Sequence, residues 1–558
     1  MSQSSLSNKK TAASPDGGFR QAMTWLHTWV GLTLGWVLFL IFVTGTAGYF
    51  DTEIDRWMRP ELPMVEAALS TLETANVVRA RLEQEAPQAE RWYISLPTGR
   101  NQLYPSVFWQ GASEEAGASS ARGRLTLDAK TGESLTPRDT GGGQTLYQMH
   151  WRLHYLGRGY SDWIIGVATL FMMVGLVTGI IIHKKIFVDF FTFRPGKGQR
   201  SWLDAHNFFS VFALPFHLMI TYSGLLFMGF SLMPLIVASH YGDEGRRQFY
   251  AEVFDPPGIV DTANTPAPLV PFADVINQAE QRWGSGRVQV VDVHHPQDAN
   301  ARVVLYESID QTVSTNGERL VFDGVTGDLL HIEPADASMT KHVRDVFLGL
   351  HEGLFAGTSL RWLYFLSGVL GTGMVATGLI LWTAKRRKKA ERKPGQTHRG
   401  LVLVEKLNIG TIAGLPAGMA SYFWANRLLP VNMTGRGEWE VHILFLTWLA
   451  MLLYAALRPR LKAWQELLAA TGVLFVTLPV LNALTTERHL LQSLTSGDWV
   501  FAGFDISVFV IGVGFIWAAW RVRASRYRTS APKMPRRKPR GNDNNQNGTE
   551  RDAVGSNS

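Results

Sequence analysis

Apolar residues along the chain gather into runs of about 20, long enough to cross roughly 30 Å of hydrocarbon as a helix, with polar or strongly basic stretches between them. Eight spans are predicted, at about 24–49, 160–183, 204–230, 359–384, 407–428, 439–457, 463–485 and 499–521. The last four form an additional block over 407–521. Two long polar segments, 51–158 and 231–357, follow the first and third spans, so both fall on one side. The pattern is that of a polytopic α-helical membrane protein with lipid around its helices. A polar N-terminal segment, 1–23, precedes a first run that continues to Tyr49 without a small-residue cleavage site, so this run is expected to stay as an anchor.

Charge sets the expected orientation. Lys9, Lys10 and Arg20, then Lys184, Lys185, Arg194, Lys197 and Arg200, the KRRKK run at 385–389 within a basic loop 385–406, and RVRASRYR with PRRKPR near the C-terminus all fall on one face. Excess Lys and Arg marks the cytoplasmic side. Both termini are therefore expected in the cytoplasm of a bacterial-type inner membrane, and the two long segments in the periplasm. The net charge of +7 reads as topology rather than as a nucleic-acid surface. The stretch 522–558, rich in Asn, Gly and basic residues, is expected to be a disordered cytoplasmic tail.

The chain repeats itself. His27 is followed 17 and 18 residues on by Thr44-Gly45, and His206 at the same distances by Ser223-Gly224; VGLVTGIIIHKK at 174–185 matches GMVATGLILWTAK at 373–385. This is a duplicated pair of spans. The outer segments repeat too, LTLDAKTGE at 125–133 against LVFDGVTGDLL at 320–330, each a strand, a D-x-x-T-G turn and a strand, after helix-like stretches at 69–86 and 271–283. Two small α+β modules are predicted. Asp128 and Asp323 are read as turn residues.

With no cysteine present, disulfides, thiolate zinc sites, iron–sulfur clusters and covalently attached haem are excluded. Any metal group must hang on His, Met or carboxylates. Of 15 histidines, His27, His183 and His206 fall at the cytoplasmic boundary, His217 inside the third span, and His150, His154 and His351 just outside the second and fourth. An ionisable residue within a bilayer is a functional candidate by default. On a straight helix His206 and His217 would lie on one face about 16 Å apart, so two irons could stack across the membrane. His27 and His183 are the candidate partners of His206; His150, His154, His351 and, less directly, His442 are those of His217. His351 counts too far out to level with His217 unless HEGLFAG bends back, which Gly353 and Gly357 permit. The bland alternatives are an interfacial His183, whose repeat counterpart is Trp382, and a His217 that bonds a carbonyl freed by Pro215. For His150 and His154, i and i+4 on one face, one would ligate while the other supports it. Asp505 is the lone carboxylate noticed within a span and is read as snorkelling.

The segments WLHTWVGLTLG…TG at 25–45, FRPGKGQRSWLDAHNFFSVFALPFHLMITYSG at 193–224 and LGLHEGLFAG…TGLILW at 348–382 resemble the PepSY-associated transmembrane helix family, which includes iron-regulated membrane proteins and ferric-siderophore reductases. The resemblance covers about 20–390 and implies two PepSY-like periplasmic modules and a di-haem cytochrome b core, with His27, His206, His217 and His351 at motif positions. It implies an oxidoreductase that passes electrons to ferric siderophores or other ferric chelates outside the membrane. No nucleotide or flavin fingerprint occurs, so the electron donor, a quinol or a cytoplasmic reductase, is expected to be external. The rival readings are a non-redox PepSY sensor or binding protein and a transporter accessory. The four spans after residue 400 depart from the four-span family pattern.

Overall fold

The computed structural model describes residues 15–530 apart from 64–68, 100–103, 112–121, 184, 187–189, 193, 243–244, 246–247, 250–257, 337 and 393–397. Of the tail expected to be disordered, 522–530 instead continues the last helix, Trp499–Ser530, and the remainder lies outside the described residues, as does the start of the N-terminal segment. Among the described residues six helices are long and apolar enough to span a membrane: Arg158–Ile182, Thr358–Ala390, Arg399–Leu428, Arg436–Leu457, Arg460–Thr485 and Trp499–Ala524. The other two expected spans are broken. Gly18–Thr33 and Gly35–Gly48 meet at 63°, and Gln199–Phe212 and Leu214–Phe227 at 68°. Pro215 opens the second half of the latter, where its missing N–H removes a bond to the preceding turn. A straight-helix reading of 204–230 is therefore incorrect. The expected basic loop 385–406 is also largely helical, since Thr358–Ala390 carries the KRRKK run and Arg387 pairs with Glu405 of the next helix.

Close approach between spans is made by small residues, as expected where helices associate without a hydrophobic driving force. A Cβ on Gly368 or Gly371 would overlap Thr46 or Phe42, and Gly472 and Gly512 lie face to face where the Arg460–Thr485 and Trp499–Ser530 helices cross.

The four added helices hold a buried polar network that the sequence reading missed. Arg436 bonds Glu440 (2.5 Å), Asn426 donates to Glu440 (2.8 Å), and Arg427 donates to Asn482 (2.9 Å). Asp505 does not snorkel: it is fully buried and accepts from Trp57 Nε1 and Asn482 Nδ2, each at 3.1 Å. Charges taken out of water persist when neighbours supply hydrogen bonds and opposite charge.

The two outer segments are not separate modules. Their strands form one antiparallel sheet of eight, β4-β3-β2-β1-β5-β6-β7-β8, comprising β1 (Arg91–Ser95), β2 (Ser106–Gln110), β3 (Gly123–Leu127), β4 (Ser134–Leu135), β5 (Val288–His294), β6 (Arg302–Glu307), β7 (Arg319–Asp323) and β8 (Leu329–Glu333). Each segment contributes a helix, Thr71–Glu85 or Phe272–Trp283, to one face. Alternation along the strands sends Trp92, Ile94, Val291, Val293, Val303, Leu305, Leu320 and Phe322 into the core beneath these helices. The D-x-x-T-G turns close as predicted: Asp128 accepts from the Lys130 and Thr131 amides, Asp323 from those of Val325 and Thr326, and Gly132 and Gly327 take the left-handed conformation.

The seam between the halves is β1 against β5, with Tyr93 opposite Asp292. Across it the buried Asp292 carboxylate accepts two bonds from Arg91, at 2.8 and 2.7 Å. Burial pushes this carboxyl up, but bonds from His294 and Arg91 outweigh it and hold the group below its ordinary value. Its contribution to stability is therefore present above about pH 4, the unfolded value, and is lost as pH falls through the depressed folded value. Asp292→Asn should weaken the seam by about 1–2 kcal/mol, Arg91 being partly exposed. Amide exchange across β1 and β5 should then rise roughly tenfold; unaltered exchange there would refute the role given to the pair.

Candidate functional site

Four histidines come together in two pairs. His27 and His206 face each other with ring centroids 6.3 Å apart, and His150 and His351 with centroids 5.8 Å apart. Each pair takes one member from each half of the duplicated sequence. His27 and His206 sit on the first halves of the two bent spans; His150 and His351 sit at the ends of the helices Gly142–Trp151 and Met339–Glu352.

Each ring is held through Nδ1 by the helix it packs against. His27 Nδ1 is 2.9 Å from the Gly175 carbonyl and 3.2 Å from Thr178 Oγ1. His206 Nδ1 is 2.9 Å from the Met374 carbonyl and 3.4 Å from Thr377 Oγ1. His150 Nδ1 is 2.9 Å from the Ile41 carbonyl, one turn before Thr44-Gly45. His351 Nδ1 is 2.9 Å from Ser223 Oγ and also meets the Ile220 carbonyl. The cradle is thus a carbonyl at i, a Thr or Ser at i+3 and a glycine at i+4, which share one face of a helix. Each hydroxyl donates one turn back, to the carbonyls of Val174, Gly373, Leu40 and Met219. The glycine makes room for the ring: a Cβ at Gly179, Gly378 or Gly224 would lie 3.4, 3.2 or 3.4 Å from the imidazole Cε1, and one at Gly45 would overlap His150 Nδ1.

A carbonyl only accepts, so Nδ1 of His27, His206 and His150 must carry the proton; at His351 the Ser223 hydroxyl spends its own proton on the Met219 carbonyl and so accepts from Nδ1, and in each ring the lone pair is left on Nε2. Such a bond fixes the tautomer and raises the basicity of the other nitrogen, as it does for metal-ligating imidazoles. Two facing imidazoles each bonded at about 2.0–2.1 Å to a metal between them would show a separation of this size. Among the described residues no group of three or more His, Asp or Glu could hold a metal. Each pair can therefore supply two imidazole donors, fewer than a bare metal ion takes from protein side chains alone. Beside His150 and His351 lies a cavity of about 360 Å³ lined by Phe42, Met172 and Phe227, with Gly45 and Gly224 on its walls and Arg158 among its polar residues. An apolar cavity with a few polar groups suits an amphipathic ligand.

The remaining candidates join neither pair. The 68° bend between His206 and His217 overturns the arithmetic that would stack them on one face. His217 is fully buried, with its ring edge-on to Phe42 and Phe216, and neither ring nitrogen forms a well-aligned bond to a described residue. His154 is not beside His150, because the helix ends at Trp151 and Arg152 is extended. It packs on Tyr155 and Phe445, with Nε2 3.4 Å from Glu438. His183 ends the Arg158–Ile182 helix, with Nε2 3.1 Å from Asn207 Nδ2, and His442 meets the Tyr155 hydroxyl at 2.7 Å. The expected turn-back before the fourth span is present, with Gly353 left-handed directly after Glu352. The Thr178-Gly179 and Thr377-Gly378 cradles were missed as site residues, although their repetition with Thr44-Gly45 and Ser223-Gly224 was the signal.

A comparison with curated proteins finds none that matches the chain. The PepSY-associated TM region matches residues 24–385, which takes in both histidine pairs, all four cradles and the shared sheet, and leaves the last four helices outside. With that match over well more than half of its length, the chain belongs to the PepSY-associated transmembrane family.

Proposed function

We propose that this protein is an inner-membrane cytochrome that holds two b-type haems, one at His27/His206 and one at His150/His351, and carries electrons across the bilayer to ferric chelates, ferric siderophores among them. The observation that carries the reading is the pair of cross-repeat imidazole couples, each ring held through Nδ1 with Nε2 free to bind iron. Haem supplies one-electron redox chemistry at iron when bound. His27 and His206 belong to the end of the bundle rich in Lys and Arg, and His150 and His351 to the end from which the sheet-forming segments extend. By the positive-inside rule the first pair is cytoplasmic and the second periplasmic.

The chain's residues then have defined tasks. His27 with His206, and His150 with His351, would each hold a haem iron between two imidazoles, which suits the group to electron exchange rather than to binding oxygen. The bonds at Nδ1 would leave the Nε2 lone pair of each ring available to the iron. The walls of Phe42, Met172 and Phe227 keep water from the outer centre and lower the local dielectric. At the outer surface one electron converts ferric to ferrous iron, which the chelate holds more weakly, and an external donor, a quinol or a cytoplasmic reductase, loses that electron.

Purified protein should give a b-type spectrum on dithionite reduction, with about two haems per chain by pyridine haemochrome; a colourless protein from haem-replete cells would favour a sensor or binding role. His27→Ala and His351→Ala should each lower the count to about one, and Gly45→Ala should do so by displacing the His150 ring. His217→Ala should keep two, and loss of a haem there would put His217 back among the ligands. Reduced protein mixed with a ferric siderophore should reoxidise and release iron to a ferrous-specific chelator.

A further inference from the structure

We infer that the four helices after residue 398, which lie outside the family match, act as a clamp that sets the position of His150 and so tunes the outer histidine pair. The inference rests on the proposed haem at that pair.

His150 is carried by the helix Gly142–Trp151, and the start of this helix is held from the added unit. Glu440 Oε2 accepts from Thr140 Oγ1 (2.5 Å) and from the Gly141 amide (3.2 Å). The Tyr422 hydroxyl donates to the Gly142 carbonyl at 2.8 Å. The Gly437 amide donates to Asp139 Oδ2 (3.0 Å), and Arg436 to the Asp139 carbonyl (2.9 Å). Approach is close enough that a Cβ on Gly437 would lie 3.0 Å from the Gly141 amide nitrogen. Arg436, Glu440, Asn426, Asn482 and Asp505 are all fully buried, so they exchange bonds with one another and with this segment rather than with water.

The same network grips the acceptor side. Arg427 donates to the Trp57 carbonyl (2.6 Å), Asn426 to the Met58 carbonyl (3.1 Å), and Asp505 accepts from Trp57 Nε1. These residues end the helix Asp51–Met58, whose Asp55 accepts from the Gly143 amide at 2.7 Å. That helix follows directly from Gly35–Gly48, whose Ile41 carbonyl accepts the bond from His150 Nδ1. Donor and acceptor of the His150 bond are therefore fastened to one buried cluster. A helix is stiff along its axis, so displacement at Gly142 moves His150, about 12 Å along. The repeat-related helix Met339–Glu352 starts instead from its own Ser338 cap. The inner pair meets the added unit through Asn408, which bonds Trp36 and the Leu379 carbonyl.

The test uses the full haem-loaded chain, with the two centres distinguished by His27→Ala and His351→Ala. Glu440→Ala should shift the midpoint potential or low-spin signature of the outer centre and leave the inner one unchanged. Tyr422→Phe, a milder change, should move the same centre less, and Glu440→Gln, which keeps an acceptor for Thr140 and Gly141, should shift it less than Glu440→Ala does. Thr471→Val, which removes a buried bond to the Ala413 carbonyl within the added unit, should move neither. Amide exchange read on the same variants should rise in 142–151 under Glu440→Ala and not in 339–352. Unchanged centres in both Glu440→Ala and Tyr422→Phe, or an equal shift of both centres, would overturn the clamp. A wild-type protein without haem would refute the cytochrome reading instead, and the exchange measurement would then still decide the clamp.

Discussion

An imidazole N–H bonded to a backbone carbonyl within an apolar bundle is the interaction on which the rest of this molecule depends. In a bilayer a helix carbonyl is normally committed to its own ladder, and a free imidazole nitrogen has no water to turn to. Each of the four cradles resolves both problems. The Thr or Ser side chain folds back onto its own helix, the carbonyl, or at His351 the Ser223 hydroxyl, accepts a bond from the incoming ring, and the glycine removes the methyl that would keep the ring away. The result is a ring whose tautomer and orientation are fixed before any ligand arrives.

Duplication explains why there are two such places. A span that carries a histidine near one end and a Thr/Ser-Gly pair near the other serves both sites, lending a ring to the His27/His206 pair and a cradle to the His150/His351 pair. The bends at 33–35 and 212–214 separate these two duties within each span. The outer segments follow the same logic. Each half brings a helix and four strands, and joining β1 to β5 turns two exposed edges into one continuous sheet, which removes a liability that unpaired edge strands carry.

The added helices stand apart from this symmetry. Their Arg436–Glu440 pair and the Asn426–Arg427–Asn482–Asp505 chain attach to one half only, at 51–58 and 139–143. The two halves are thereby made unequal: one outer histidine has its helix started by neighbours from elsewhere in the chain, and the other has a local cap.

By itself the sequence determined the membrane class, the eight apolar runs, the duplicated spans, the strand–turn–strand elements around Asp128 and Asp323, and the set of histidines from which the pairs are drawn. These are signals of composition and short-range periodicity, which hydrophobic thickness and turn stereochemistry make readable. Only the tertiary structure decided which rings meet. His217 sat eleven residues from His206 and looked like its natural stack, yet a bend set by Pro215 and its surroundings redirected the helix. His150 and His154 shared a helical face on paper, but the helix stops between them. Joining the outer segments through Arg91 and Asp292, and burying Asp505 against Trp57, likewise depend on contacts between residues hundreds apart in sequence. No local pattern encodes such contacts, because they arise when whole elements are packed to bury their polar groups together.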